Sequence, residues 1–232
     1  MATTDTTNFN LDILEIVEEA YERCGLELRT GYQLKTARRS LNLLAIEWAN
    51  RGINLWTVEQ GVIPLVAGQA TYDLPVDTID LIEHVIRQNN TDLSVSRISV
   101  STYATIPNKT QRGRPIQLYI NRRSGQTDST GDVQNPTVTL WLVPDVNTYT
   151  LVYWRLRRMQ DAGNGTNTLD LPFRFLPAMI AGLAYMISMK EPEAMNRVEA
   201  LKAIYDEAFQ LAADEDRDRS PVRMVPRQYF IG

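Results

Sequence analysis

The apolar pattern of this chain changes period twice. Leu11, Ile13, Leu14, Val17, Ala20, Tyr21 and Cys24 recur at spacings of three and four, the mark of an amphipathic helix, with Asn10 placed as its N-cap and Gly25 placed to end it. After a break at Gly31, Leu34, Ala37, Leu41, Leu44, Ala45 and Trp48 repeat the pattern, and Gly52 follows as a left-handed C′ residue. The expectation is a helical hairpin near 11–24 and 33–51.

From Thr57 the helical period is lost. Thr57–Val66, Ala70–Leu74, Thr78–Gln88, Leu93–Ile98, Pro115–Asn121, Thr137–Leu142 and Thr148–Arg158 are rich in β-branched residues and separated by turn signals such as Ala67-Gly68, Ser124-Gly125, Asn135-Pro136 and Pro144-Asp145. They read as short strands of a sandwich or barrel, interrupted by one short helix over Ser99–Ile106. The helical period returns at Asp170-Leu171-Pro172, an acidic cap followed by a proline in the first turn. Phe175, Leu176, Met179, Ile180, Leu183, Met186 and Ile187 form one face of that helix, and Ala178, Ala181, Gly182 and Ala184 make the rest small and apolar. It reads as a helix buried nearly all round, in a core or against another subunit. A last helix opens at Pro192, with Met195, Val198, Leu201, Tyr205, Ala208 and Ala212 on its apolar stripe. Beyond Arg219 the tail carries two prolines and ends Tyr229-Phe230-Ile231, a composition suited to docking on a partner rather than to a helix.

The fold class expected is therefore α+β: a helical bundle from the N- and C-terminal segments, a central antiparallel β-rich insertion, and an extended tail. By this reading residues 1–55 and 168–219 make the helical domain, 56–167 the insertion and 220–232 the docking tail.

Charge is distributed unevenly around a net −4. Residues 1–30 and 191–219 each sum to −5, whereas 112–158 sum to +4 because seven arginines face three aspartates. Arg155 and Arg157 share one face of a strand, a spacing that suits salt bridges to an acidic neighbour, including contacts between copies, at least as well as phosphate. The N-terminus has neither the basic start nor the apolar core of a secretory signal, and no apolar run reaches the roughly 20 residues of a membrane span. A soluble chain made in a cytoplasm is expected.

The inventory of reactive side chains is short. His84 is the only histidine and Cys24 the only cysteine, so neither a Cys/His zinc site nor an internal disulfide can be assembled. His84 sits in a strand pattern without a nucleophile motif, and Cys24 lies on an apolar helical stripe, which makes it a core thiol. A pair of carboxylates remains possible, since there are 28 acids; Glu47 beside Trp48 is the named candidate, because burial against an indole raises a carboxyl pKa. No cofactor is called for.

Several longer stretches carry a resemblance. The hairpin end Glu47-Trp48-Ala49-Asn50-Arg51-Gly52-Ile53-Asn54-Leu55-Trp56, Ile106-Pro107-Asn108-Lys109 with Gly113-Arg114-Pro115, Leu140-Trp141-Leu142-Val143-Pro144-Asp145, and Leu171-Pro172-Phe173-Arg174-Phe175-Leu176-Pro177-Ala178 follow one another over nearly the whole chain. In this it resembles the head-to-tail adaptor proteins of short-tailed bacteriophages, also called tail accessory factors or packaged-DNA stabilisation proteins.

The resemblance implies a virion structural protein, made in the bacterial cytoplasm and placed at the head-tail junction. It implies a ring of about twelve copies under the portal protein, extending the DNA channel around passing double-stranded DNA without reading its sequence, and carrying a tail or nozzle protein below. A C-terminal arm would contact the portal, which points to Arg223, Arg227, Tyr229, Phe230 and Ile231. Met179, Leu183 and Met186, with Arg155 and Arg157, are the candidates for the subunit interface. Two alternatives stay open: a peptidoglycan-cleaving virion protein, since some members of the family are described as cell-wall hydrolases, and another non-enzymatic assembly module.

Overall fold

Two α-helices come first, and their ends follow from local side chains. A computed structural model describes residues 5, 9, 11–123, 127, 131 and 134–217. Helix α1 spans Ile13–Cys24 and is closed by a capping box: Asp12 Oδ1 accepts from the Glu15 amide at 2.8 Å and Glu15 Oε2 accepts from the Asp12 amide at 3.0 Å. The cap is thus Asp12, two residues after the expected Asn10, which lies outside the described residues. Helix α2 spans Gly31–Asn50 with the same device on Thr30 and Gln33, so Gly31 is its first residue rather than a break. Gly25 and Gly52 both take left-handed φ after their helices, at 75° and 85°.

The chain divides into two compact units, Met1–Leu55 with Asp161–Gly232, and Trp56–Gln160. The described residues of the second form eight strands: β1 Val58–Pro64, β2 Thr71–Asp73, β3 Thr78–Gln88, β4 Thr91–Ser94, β5 Ser96–Ile98, β6 Gln117–Asn121, β7 Thr137–Trp141 and β8 Thr150–Arg157. Helix α3, Val100–Thr105, stands between β5 and β6, capped by Ser99. The strands form two four-stranded sheets, ordered β1-β8-β3-β4 and β2-β7-β6-β5. The first is antiparallel throughout. In the second, β5 runs parallel to β6, with Ser96 opposite Gln117 and Ile98 opposite Tyr119. One expected strand, Leu93–Ile98, is divided between the two sheets at Val95 and supplies an edge of each. Leu118 and Ile120 of β6, Val138 and Leu140 of β7, Leu81 and Ile86 of β3, and Leu151 and Tyr153 of β8 share one core, which makes the unit a sandwich. Each such side chain contributes about 1.5–3 kcal/mol by leaving water.

The first unit closes with α4, Leu176–Ser188, and α5, Val198–Glu215. Helix α4 begins four residues later than Pro172 suggested, after a 3-10 turn over Phe173–Phe175. Pro177 explains the shift: without an amide hydrogen it is tolerated only in the first turn, so the helix must start around it. Ten of the residues of α4 are buried, and it packs on α1, α2 and α5. Gly182 is the closest point, since an added Cβ would fall 2.8 Å from Leu44 of α2 and 2.8 Å from the Tyr205 ring of α5. Pro192–Arg197 forms a 3-10 turn ahead of α5, so the helical spacing that placed Met195 on the apolar stripe does not hold there, and Met195 is 66% exposed.

Residues 161–167, expected with the strands, pack on the helices instead. Arg38 Nη2 donates to the Ala162 carbonyl at 3.1 Å, the Ala162 amide donates to Asn42 Oδ1 at 2.7 Å, and the Leu14 amide donates to the Gly165 carbonyl at 2.9 Å.

Candidate functional site

Catalytic chemistry finds little to work with. Glu47 is paired with Arg51 at 2.5 Å, one helical turn on, and the indole nitrogen of its neighbour Trp48 donates to Tyr205 Oη at 3.1 Å, on the buried side of α2. The carboxylate is therefore not held against the indole. His84 lies on β3, where burial lowers its pKa, and its Nδ1 is buried with no hydrogen-bond partner. Cys24 is buried, its Sγ 3.2 Å from the Ala184 carbonyl, and burial pushes the thiol up to about 11. Among the described residues no group of three or more His, Cys, Asp or Glu could hold a metal ion.

Several arginines of the strand unit are engaged at home. Arg155 Nη2 donates to Glu59 Oε2 at 2.8 Å and its Nη1 to Asp77 Oδ1 at 2.5 Å and Thr78 Oγ1 at 3.0 Å, while Arg157 Nε donates to Glu59 Oε1 at 2.6 Å. Both do lie on one face, and Glu59 of the neighbouring β1 bridges them. The Arg155 side chain is only 11% exposed. Burial works against its charge, but Asp77 and Glu59 outweigh this and raise its pKa; in return the hydrogen bond from Arg155 lowers that of Asp77. Arg122 is likewise held by Asp80 at 2.9 Å. A phosphate-binding surface built on these residues is not what the geometry offers.

Met179 and Leu183 are buried at 2% and 0% among the helices of their own unit, and Met186 is half-buried. The surface of the first two is used inside the chain. Arg223, Arg227, Tyr229, Phe230 and Ile231 lie outside the described residues.

A set of apolar residues lies out of phase with the core, outside the candidates that helical spacing picks out. On α2, Tyr32, Lys35, Arg39, Leu43 and Ile46 form one exposed stripe, opposite the buried Ala37, Leu41, Leu44 and Trp48, with Leu43 and Ile46 55% and 57% exposed. On α5, Ala200, Ile204, Glu207, Leu211 and Asp214 form another, with Ile204 and Leu211 51% and 66% exposed. The signal was present: Leu43, Ile46, Ile204 and Leu211 are the large aliphatics that miss each helix's main stripe.

A third feature is a groove of about 670 Å³ between α1 and the start of α4, floored by Leu176 and Ile180 and rimmed by Glu15, Glu18, Glu19 and Glu22. Glu19 is tied to Arg23 at 2.9 Å. No helix among the described residues is long and apolar enough to cross a membrane.

These are features of an assembly protein: self-satisfied ion pairs, a closed core, and apolar stripes left on helices. No curated protein matches the chain. The model of the SU10 adaptor protein family matches it from residue 12 to residue 226, through every helix and strand of both units. The chain belongs to the SU10 adaptor protein family, a structural and non-enzymatic kind of phage protein that associates with other head and tail proteins in the virion.

Proposed function

We propose that the protein is a head-to-tail adaptor that forms a ring of about twelve copies under the portal protein, lengthens the DNA channel, retains packaged DNA and carries a tail or nozzle protein. The observation that carries this reading is the extent of the family match, which runs from the cap of α1 through both units and into the C-terminal tail. The acidic helical segments, −5 in each of residues 1–30 and 191–219, support it, since a wall of that charge does not grip passing DNA.

Portal docking is assigned to Ser220–Gly232, where Arg223 and Arg227 alternate with apolar residues ahead of Tyr229, Phe230 and Ile231 and no acid intervenes. Mixing the purified protein with its portal and counting subunits by native mass or electron microscopy tests the reading. Full-length protein should be monomeric alone and ring-forming on the portal; protein ending at Arg219 should keep its fold and lose the complex. Stable portal complexes recovered without Ser220–Gly232 would sink the docking assignment.

The wall-cleaving alternative has no observation in its favour, because Glu47 is ion-paired with Arg51. Incubation with purified bacterial wall, with Glu47→Gln as control, should show no release of fragments by either protein.

A further inference from the structure

The two exposed stripes differ in charge as well as position. Among the described residues, neither Lys35 nor Arg39 on α2 is ion-paired, and Glu207 on α5 is likewise free of a cation. Helix α2 holds no acid before Glu47, whereas α5 holds five acids against Lys202. The faces are therefore complementary to each other and not to themselves. A contact between two different faces of one chain is heterologous, and such contacts generate rings when the rotation closes.

The order of residues along each stripe selects an orientation. On α2 the aromatic and cationic residues come first, Tyr32, Lys35 and Arg39, and the aliphatics Leu43 and Ile46 follow. On α5 the small and aliphatic residues Ala200 and Ile204 come first, then Glu207, Leu211 and Asp214. Laid antiparallel, Ile46 meets Ala200, Leu43 meets Ile204, Arg39 meets Glu207, and Lys35 and Tyr32 meet Leu211 and Asp214. Laid parallel, Arg39 still meets Glu207 and Leu43 meets Leu211, but Lys35 falls on Ile204 and Ile46 on Asp214, so the apolar ends of the two stripes no longer coincide. Helices of 20 and 18 residues, about 30 and 27 Å long, give this seam its full length.

We propose that the exposed stripe of α2 docks antiparallel on the exposed stripe of α5 of a second copy, with Leu43 against Ile204 and Arg39 against Glu207. This rests on the adaptor-ring reading and names the surfaces that build the ring. A single two-helix seam is narrower than the roughly 800 Å² per partner of a stable interface, so copies part in dilute solution and join when the portal gathers them.

The test uses full-length protein with and without its portal. In the doubly substituted Leu43→Cys, Ile204→Cys protein, a short bismaleimide should yield a ladder of linked multimers on the portal, and neither single substitution should. The buried Cys24 adds no background. Arg39→Glu and Glu207→Arg should each lower the assembled fraction at least about fivefold, and the two together should restore it. All these positions are exposed, and unchanged thermal unfolding confirms that each variant folds. If wild-type rings form on the portal while the ladder is absent, or while Arg39→Glu assembles like wild type, the seam is overturned and the adaptor reading stands. If no ring forms on the portal but the ladder appears in concentrated protein alone, the portal reading falls and the seam stands. If neither appears, both fall.

Discussion

Trp48 on α2 donates its indole hydrogen to the hydroxyl of Tyr205 on α5, 3.1 Å away, with both side chains buried. Two residues 157 positions apart in sequence are thereby joined by a hydrogen bond between buried side chains. Tyr205→Phe leaves the indole N–H without its partner, and we expect a loss of about 1–3 kcal/mol in urea unfolding. Trp48→Phe in the Tyr205→Phe background removes the orphaned donor, so the double variant should lose less than the sum of the two single changes. Additive losses would show that the hydrogen bond contributes nothing beyond packing.

Gly182 and Gly31 should respond in opposite senses to alanine. At Gly182 a Cβ meets Leu44 and Tyr205, both buried and unable to withdraw. Overpacking of about 1–3 kcal/mol should outweigh the helix-propensity gain of about 1 kcal/mol. At Gly31, the first residue of α2, a Cβ meets nothing within 4 Å, and Gly31→Ala should stabilise by about 0.5 kcal/mol. Midpoints of thermal unfolding measure both.

Acid should weaken the fold in two separate windows. His84 has a folded pKa below its ordinary 6.5, chiefly through burial, so the fold favours the neutral ring. That contribution is complete above pH 6.5 and declines as pH falls below it toward the folded value. Asp77, held low by the hydrogen bond from Arg155, contributes fully above its ordinary 3.8 and loses that contribution as pH falls through its lower folded value. Stability measured against pH should lose the upper decline in His84→Gln and the lower one in Asp77→Asn.

Cys24 should be silent toward alkylation in native protein. Its thiol is buried and titrates at about 11, so at pH 8 little thiolate exists and reagent cannot reach it. Mass spectrometry after brief maleimide treatment should show unmodified protein in buffer and complete single modification in urea.

The sequence announced elements better than their joints. Thr78–Gln88 was read with both ends correct, because its run of Ile and Val is bounded by Pro75 and the Asn89-Asn90 turn, where both asparagines take positive φ. The caps went astray where two acceptors compete: Asn10 and Asp12 both suit an N-cap, and only the reciprocal bond with Glu15 singles out Asp12. The division of Leu93–Ile98 between two sheets, and the parallel pairing of Ser96 with Gln117, depend on contacts distant in sequence that no local period encodes. Of the candidate residues, the shared face of Arg155 and Arg157 was legible from strand alternation. Their partners Glu59 and Asp77 were not, since the pairing of β8 with β1 on one side and β3 on the other must be known first. For Met179 and Leu183, composition could mark a helix as buried without saying by what, and the answer is the chain's own α1, α2 and α5.

The helical unit is made of two stretches of chain separated by the strands, and this orders events during synthesis. When α1 and α2 leave the ribosome, α4, against which α1 packs most extensively, has not been made. At about 5–20 residues per second, the intervening hundred or so residues keep that apolar face waiting for several seconds. Meanwhile the sandwich, whose two sheets are complete once Arg157 has emerged, has all its own partners in hand. A nascent chain arrested once Gln160 has cleared the ribosome, with α4 still inside it, should therefore carry a protease-resistant strand unit behind a protease-sensitive leader.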